Sequence, residues 1–235
     1  MKPEGFSAVM AMRQPTAPDD LDYFPTPPWA ARAGGELIRS IDPQARTAWE
    51  PACGGGHMAH GLADYFGEGV WPTDIHDHQG PIRPRFIGDF VRGDFDAVGD
   101  PRADWIVTNP PFVLGEAFVR AAWARARRGV AMLLRLQFLE GAARFRLFNE
   151  LPLYAVAPFA ERVPMVKGRW DPTASSATAY AWFLWIKPGV EGFGAAPRVM
   201  FIAPGTRTRL ARPDDVTMFV GLTEAPLLAG VEGGS

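Results

Sequence analysis

The 235-residue sequence predicts a doubly wound α/β domain: a seven-stranded, mostly parallel sheet with helices on both faces. Three observations carry that expectation. Short apolar, strand-like runs alternate with longer helix-like stretches. Three glycines, Gly54, Gly55 and Gly56, stand where one such strand passes into one such helix. Residues 129–136 form the most continuous apolar run, as a parallel strand buried on both faces requires.

The elements follow in order. Pro27 and Pro28 open a helical stretch to about residue 40, because a first helical turn has no use for the missing N–H. Residues 47–51 read as the first strand, 57–66 as a helix, 69–73 as the second strand and 84–88 as the third. Residues 104–108 form a fourth strand, stopped by Asn109 and two prolines that cannot donate to a ladder. Alanine-rich residues 115–128 read as a helix leading into strand 129–136, with a further helix at 142–150. Residues 154–157 and 179–187 complete the seven strands, and the polar, basic, turn-rich segment 158–178 lies between them. There is no internal repeat and no sign of a second domain. Residues 21–235 are expected as one domain behind a flexible lead-in, residues 1–20, which lacks the layout of a signal peptide.

Composition narrows the function classes. The chain has no run of about 20 apolar residues, so no membrane-spanning helix is expected. A single cysteine, Cys53, excludes an internal disulfide framework and suits a reducing cytoplasm, the expected location. The formal net charge of -2 is not that of a strong nonspecific nucleic-acid binder. Its distribution is more informative: lysine occurs only at positions 2, 167 and 187, while arginines gather between Arg120 and Arg146. His76, Asp77 and His78 face different ways in a loop, so no metal site is expected.

Two motifs carry chemistry. The first, Glu50-Pro51-Ala52-Cys53-Gly54-Gly55-Gly56, follows a strand and opens a helix. Glycines there let a ligand approach the backbone, and a helix N-terminus offers free N–H groups. Residues 54–59 also satisfy the relaxed dinucleotide pattern Gly-x-Gly-x-x-Gly/Ala, with Asp74 about 20 residues on. A nicotinamide-dependent dehydrogenase is therefore a competitor on this loop alone. Against it, Glu50 places a carboxylate that repels a pyrophosphate but suits a cationic amino-acid ligand, and the loop follows a helix instead of opening the fold. Asp74 suits ribose hydroxyls in either case.

The second motif is Asn109-Pro110-Pro111-Phe112 at the end of a strand, where ligands of such sheets bind. An amine on an aromatic base is a poor nucleophile because its lone pair is delocalised into the ring. Two acceptors gripping its N–H groups favour a pyramidal nitrogen, and the Asn109 side chain with the Pro110 carbonyl supplies two. Pro111 after Pro110 makes that backbone rigid, and Phe112 offers a face for a flipped-out base.

These residues resemble the amino-methylating DNA methyltransferases, specifically small phage- or prophage-type adenine-N6 enzymes. The resemblance spans residues 22–187 and implies a Rossmann-like class I methyltransferase fold that uses S-adenosylmethionine. Phe24-Pro25-Thr26-Pro27 is similar to the family's N-terminal cofactor motif and residues 50–56 to its main cofactor loop. Asp74 with Ile75 matches the ribose-binding acid and its neighbour. Asp89-Phe90 resembles the pair around the cofactor's adenine, with Asp94-Phe95 as a second candidate. The motif order is like the family's gamma arrangement. The resemblance implies duplex DNA with a flipped adenine as substrate, and direct transfer without a covalent enzyme intermediate.

This chain is short for that class. Sequence specificity is then low, or lies in residues 158–178, or comes from a second copy or an accessory recognition subunit. Arg162, Lys167, Arg169 and Trp170 would give that segment phosphate contacts and a wedge for an unstacked base. The lone cysteine, inside the glycine loop, excludes ring-carbon methylation of cytosine. Cytosine-N4 enzymes usually carry serine at the position of Asn109. Enzymes acting on an RNA base amine or a protein glutamine amide share the same tetrapeptide logic, and a non-catalytic methyltransferase-like partner subunit is the alternative from another class.

Overall fold

The computed structural model describes residues 22–97 and 102–220; the expected lead-in, residues 1–20, lies outside them. The strands are β1 (Ala48–Glu50), β2 (Val70–Pro72), β3 (Trp105–Thr108), β4 (Gly129–Arg135), β5 (Ala155–Pro158), β6 (Tyr180–Ile186) and β7 (Arg198–Val199). They form one seven-stranded sheet in the order β2-β1-β3-β4-β6-β5-β7. Only β6 runs against its neighbours β4 and β5; all other pairs are parallel. The expected architecture is met.

Side-chain alternation along the central strands creates two cores. Trp105 and Val107 of β3, Ala131 and Leu133 of β4, and Trp182 and Leu184 of β6 point to one face. There they meet α1 (Pro28–Ile41) and α2 (His57–Phe66). Ile106, Val130, Met132, Phe183 and Trp185 point to the other face, against α3 (Gly115–Arg125) and α4 (Ala142–Glu150). The functional loops therefore emerge at the carboxyl ends of β1, β2 and β3, between two packed layers.

Three expectations need correction. Residues 84–88 do run beside β2, with Arg85 N–H donating to the Pro72 carbonyl at 2.8 Å and Gly88 N–H to Asp74 at 2.8 Å. Only one bridge, Asp74 to Ile87, qualifies as strand pairing, because Pro84 has no N–H and the chain turns away after Gly88. The seventh strand is instead the two-residue edge β7. The helix expected over 115–128 ends at Arg125, since the amides of Arg127 and Arg128 bond to Ala103 and Asp104 carbonyls beside β3.

Two short helices, α5 (Thr206–Leu210) and α6 (Pro213–Phe219), were not anticipated. A buried ion cluster fastens the second to the body. Arg32 of α1 is 1% exposed and donates to both Asp215 carboxylate oxygens at 2.6 and 2.7 Å. It also reaches Asp64, and His60 lies 3.1 Å from Asp215. Arginine's planar fork suits such a buried bidentate pair.

Candidate active site

The glycine loop connects β1 to α2 at one end of a cavity of about 580 Å³, within the range typical of cofactor sites. Gly54 and Gly56 have φ of +54° and +88°. A Cβ on Gly54 would lie 2.3 Å from the Tyr23 ring, and one on Gly56 would lie 2.3 Å from Ile82. Glycine is required here by both conformation and space. The loop is closed by Cys53 N–H donating to the Thr73 carbonyl and Thr73 N–H donating to that of Glu50.

The loop amides are not left for an anion. Gly54 N–H donates to the Asp74 carboxylate at 2.8 Å and Gly55 N–H to the Tyr23 hydroxyl at 3.1 Å. Burial pushes the Tyr23 phenol up to about 12, so its hydroxyl stays neutral. The cavity wall carries carboxylates at Asp22, Glu50, Asp74, Asp89 and Asp94, against one arginine, Arg92. Such a wall opposes a diphosphate and suits a cationic ligand with ribose hydroxyls. This weighs against the dinucleotide alternative on physical grounds.

Glu50 is 2% exposed, and its Oε2 has no hydrogen-bond partner among the described residues. Burial, and then the neighbouring Asp74, push its carboxyl well above the usual range, with a backbone bond from Ala59 offsetting part of this. Asp74 is also raised by burial, opposed by N–H donation from Gly54 and His76. His57 opens α2 and lines the cavity; burial, with His60 nearby, lowers its pKa to about 3 and leaves it neutral. Burial likewise raises the Cys53 thiol, which keeps it from acting as a thiolate nucleophile.

At the end of β3, Asn109 Nδ2 donates to the Phe24 carbonyl at 2.9 Å and touches Met165 Sδ at 3.7 Å. A carbonyl can only accept, so this bond fixes the amide orientation. Oδ1 is then left buried without a partner among the described residues, on a residue that lines the cavity. Phe112 N–H donates to the Asp22 carboxylate at 2.7 Å.

Residues 22–27 form a strap across the site. Asp22 holds Phe112, Tyr23 covers the glycine loop and stacks on His78 at 4.2 Å, and Phe24 holds Asn109. The Tyr23 carbonyl also accepts Gly168 N–H from the 158–178 segment. The strap thus ties cofactor loop, tetrapeptide and segment together.

Most expected residues meet at this cavity: Phe24, Thr26, Glu50, Pro51, Ala52, Cys53, Gly54, Asp74, Ile75, Asp89, Phe90, Asn109 and Pro111 all line it. Pro27, Gly56, Pro110 and Phe112 do not; Pro27 caps α1 and Gly56 caps α2. Of the two acid–phenylalanine pairs, Asp89 and Phe90 both reach the cavity. Asp94 reaches it and accepts the Asp89 N–H at 2.9 Å, while Phe95 is buried against Trp49 and Phe86.

No residue of the segment 158–178 lines the cavity itself, but its Met165, Gly168 and Trp170 contact the lining residues Asn109, Tyr23 and His57 from behind. Its Val163 and Met165 are buried, and Arg162, Lys167 and Arg169 are exposed. Arg169 lies 3.4 Å from Asp171. Trp170 does not project as a wedge: its ring is half-buried, edge-on to His57 at 6.0 Å and to Phe219 at 6.2 Å. Sequence reasoning missed Asp22, Tyr23, His57, His78 and Arg92 as cavity residues. Only proximity to recognised motifs could have flagged Asp22 and Tyr23.

No protein-family model and no curated protein matches this sequence. Among solved structures, the methyltransferase subunit of a type I restriction-modification system from Streptococcus thermophilus aligns with a TM-score of 0.53 and 14% identity, over 70% of this chain and 45% of that one. A protein from Listeria monocytogenes assigned as a class I S-adenosylmethionine-dependent methyltransferase gives 0.53 at 9% identity, over 82% and 70%. One from Pyrococcus horikoshii assigned as an RNA methyltransferase gives 0.51 at 14%, over 67% and 83%. The chain spans about half the length of the restriction-modification subunits it matches. At these identities the likeness is one of fold: the sheet is the Rossmann-like sheet of class I methyltransferases. Among the described residues no helix is long and apolar enough to cross a membrane.

Proposed function

We propose that this chain binds S-adenosylmethionine in the acidic cavity and methylates adenine N6 in DNA. One observation carries the proposal: Asn109 Oδ1, at the end of β3, is a buried acceptor without a partner among the described residues, held in that orientation by the Phe24 carbonyl. An unpartnered buried acceptor costs about 1–3 kcal/mol, a cost that makes sense where a substrate N–H completes the bond.

The cavity residues fit the cofactor. The Oε2 of buried Glu50, without a partner among the described residues, suits a cationic amino group, Asp74 suits ribose hydroxyls, and Asp89 with Phe90 suits an adenine. When bound, this group supplies an electrophilic methyl on a sulfonium. The chain's own task is to grip and aim the nucleophile. Asn109 Oδ1 and the Pro110 carbonyl accept the two N–H groups of the exocyclic amine, and Phe112 gives the base a stacking surface. Positioning of this kind lowers a barrier by several kcal/mol, roughly 7–11 at best. No covalent intermediate on the enzyme is called for.

The likeness to a restriction-modification methyltransferase subunit and the exposed Arg162, Lys167 and Arg169 support DNA as the substrate. The comparable likeness to a protein assigned as an RNA methyltransferase makes an RNA base amine the second reading. Incubation with methyl-labelled S-adenosylmethionine and, separately, duplex DNA, single-stranded DNA, structured RNA and bulk protein tests the proposal. Label is expected in DNA. Label confined to RNA or protein overturns the substrate, and absence of cofactor binding by calorimetry overturns the proposal entirely.

A further inference from the structure

The tetrapeptide's aromatic ring is already covered. Arg135, the last residue of β4, ends a run of six buried residues with an exposed side chain. Its guanidinium carbon lies 4.0 Å from the centre of the Phe112 ring, the spacing of a stacked base. The other rings beside Phe112 are tilted: Phe24 at 5.2 Å and 45°, Tyr180 at 6.2 Å and 35°. Among the described residues, Arg135 is the cation that sits over the Phe112 ring, while the neighbouring aromatic rings meet it at a tilt.

Its hold there is weak. Arg32, Arg120, Arg128 and Arg144 are each paired with carboxylates. Arg135 has no carboxylate within 4.0 Å among the described residues; it stands directly opposite Tyr180 in the β4–β6 register, where its positive charge partly offsets the upward push of burial on that phenol. A water-exposed cation over a ring is loosely bound, and moving it strands no buried acid.

We propose that Arg135 is a positioning residue for the target nucleotide: its guanidinium occupies the stacking face of Phe112 until a base arrives, then moves to that nucleotide's phosphate. The inference rests on the proposed DNA substrate. A planar guanidinium suits both stations, because it stacks on a ring and also forks onto phosphate oxygens. The base and the arginine exchange places, so the apolar face of Phe112 stays covered in both states.

The test compares wild type, Arg135→Ala and Arg135→Lys on unmethylated bacterial genomic DNA, across a range of salt concentrations, with thermal melting of each protein. Arg135→Ala is expected to raise KM for DNA about tenfold, with a smaller change in kcat. The slope of log KM against log salt should become shallower by about one, the signature of one lost phosphate contact. Arg135→Lys keeps the charge and should restore that slope. Deoxyadenosine monophosphate should inhibit wild type better than deoxyadenosine does, a preference that Arg135→Ala should lose. An active wild type with unchanged KM, slope and nucleotide preference in Arg135→Ala overturns the role of Arg135 alone. Equal losses in both variants alongside a lowered melting temperature reduce Arg135 to a structural residue. A wild type that puts no methyl into DNA overturns the substrate reading and this inference with it.

Discussion

Replacing Asn109 with alanine separates chemistry from folding and cofactor binding. The substitution deletes one neutral 2.9 Å hydrogen bond to the Phe24 carbonyl and one buried acceptor that has no partner among the described residues. Losing the bond and stranding the carbonyl costs about 1–3 kcal/mol, and removing the unpartnered oxygen returns a similar amount. The two nearly cancel, so the melting temperature should move by no more than about 4 °C for a chain of this size. Catalysis has no such compensation. Loss of one preorganised hydrogen-bond partner at a reacting centre typically lowers kcat by about 10²–10³. Single-turnover methylation at saturating cofactor should show that drop, while calorimetry gives a cofactor affinity within about threefold of wild type. Asn109→Asp sharpens the test, because it keeps an acceptor but turns a second one toward the Phe24 carbonyl; it should be less stable than the alanine variant. Near-wild-type turnover in Asn109→Ala would falsify the assigned role. Parallel loss of activity and cofactor binding would show a structural residue instead.

Three further outcomes follow from the same geometry. Glu50 has a folded-state pKa raised above its ordinary 4.5, so its contribution to stability is present below that pH and lost as pH rises toward the folded value. Glu50→Gln should therefore match wild type in stability below pH 4.5 and exceed it by about 1–3 kcal/mol near neutrality, while binding S-adenosylmethionine at least about tenfold more weakly. Denaturant melts that show the same difference at both pH values contradict the burial argument. Asp74→Ala removes the acceptor for Gly54 and His76 N–H groups and should weaken cofactor binding by about tenfold or more; unchanged calorimetric affinity would remove its ribose role. Charge reversal at Lys167 and Arg169 should flatten the salt dependence of DNA binding, with a slope change of up to about two; an unaltered slope makes the 158–178 tip ordinary surface.

Much of the fold was legible because strong local signals agreed. α2 begins at His57, after the glycine turn, and ends at Phe66, before Gly67. The unbroken apolar run of β4 marked a strand buried on both faces. The tetrapeptide and the 50–56 loop were legible as short, chemically specific strings, and Asn109 and Pro111 of the one and residues 50–54 of the other line the same cavity. What escaped lies in contacts between distant positions. Tyr23 meets Gly55 across 32 residues and Asp22 meets Phe112 across 90, so neither leaves a local pattern. Arg32 and Asp215 are 183 positions apart, and α5 and α6 are too short to show helical periodicity. Residues 84–88 misled because their composition is strand-like while Pro84 lacks an N–H and the chain turns away after Gly88, which denies them a full ladder. The occupant of the Phe112 face was invisible for the same reason: Arg135 comes from the next strand.

The central claim is that Asn109 and its neighbours methylate adenine N6 in DNA. The most direct measurement is nucleoside analysis by mass spectrometry of unmethylated bacterial DNA after incubation with the purified protein and S-adenosylmethionine, beside an Asn109→Ala control. The account predicts N6-methyldeoxyadenosine from wild type and, at matched early times, at least about a hundredfold less from the variant. Methylated cytosine, or N6-methyldeoxyadenosine in equal amount from both proteins, would contradict it.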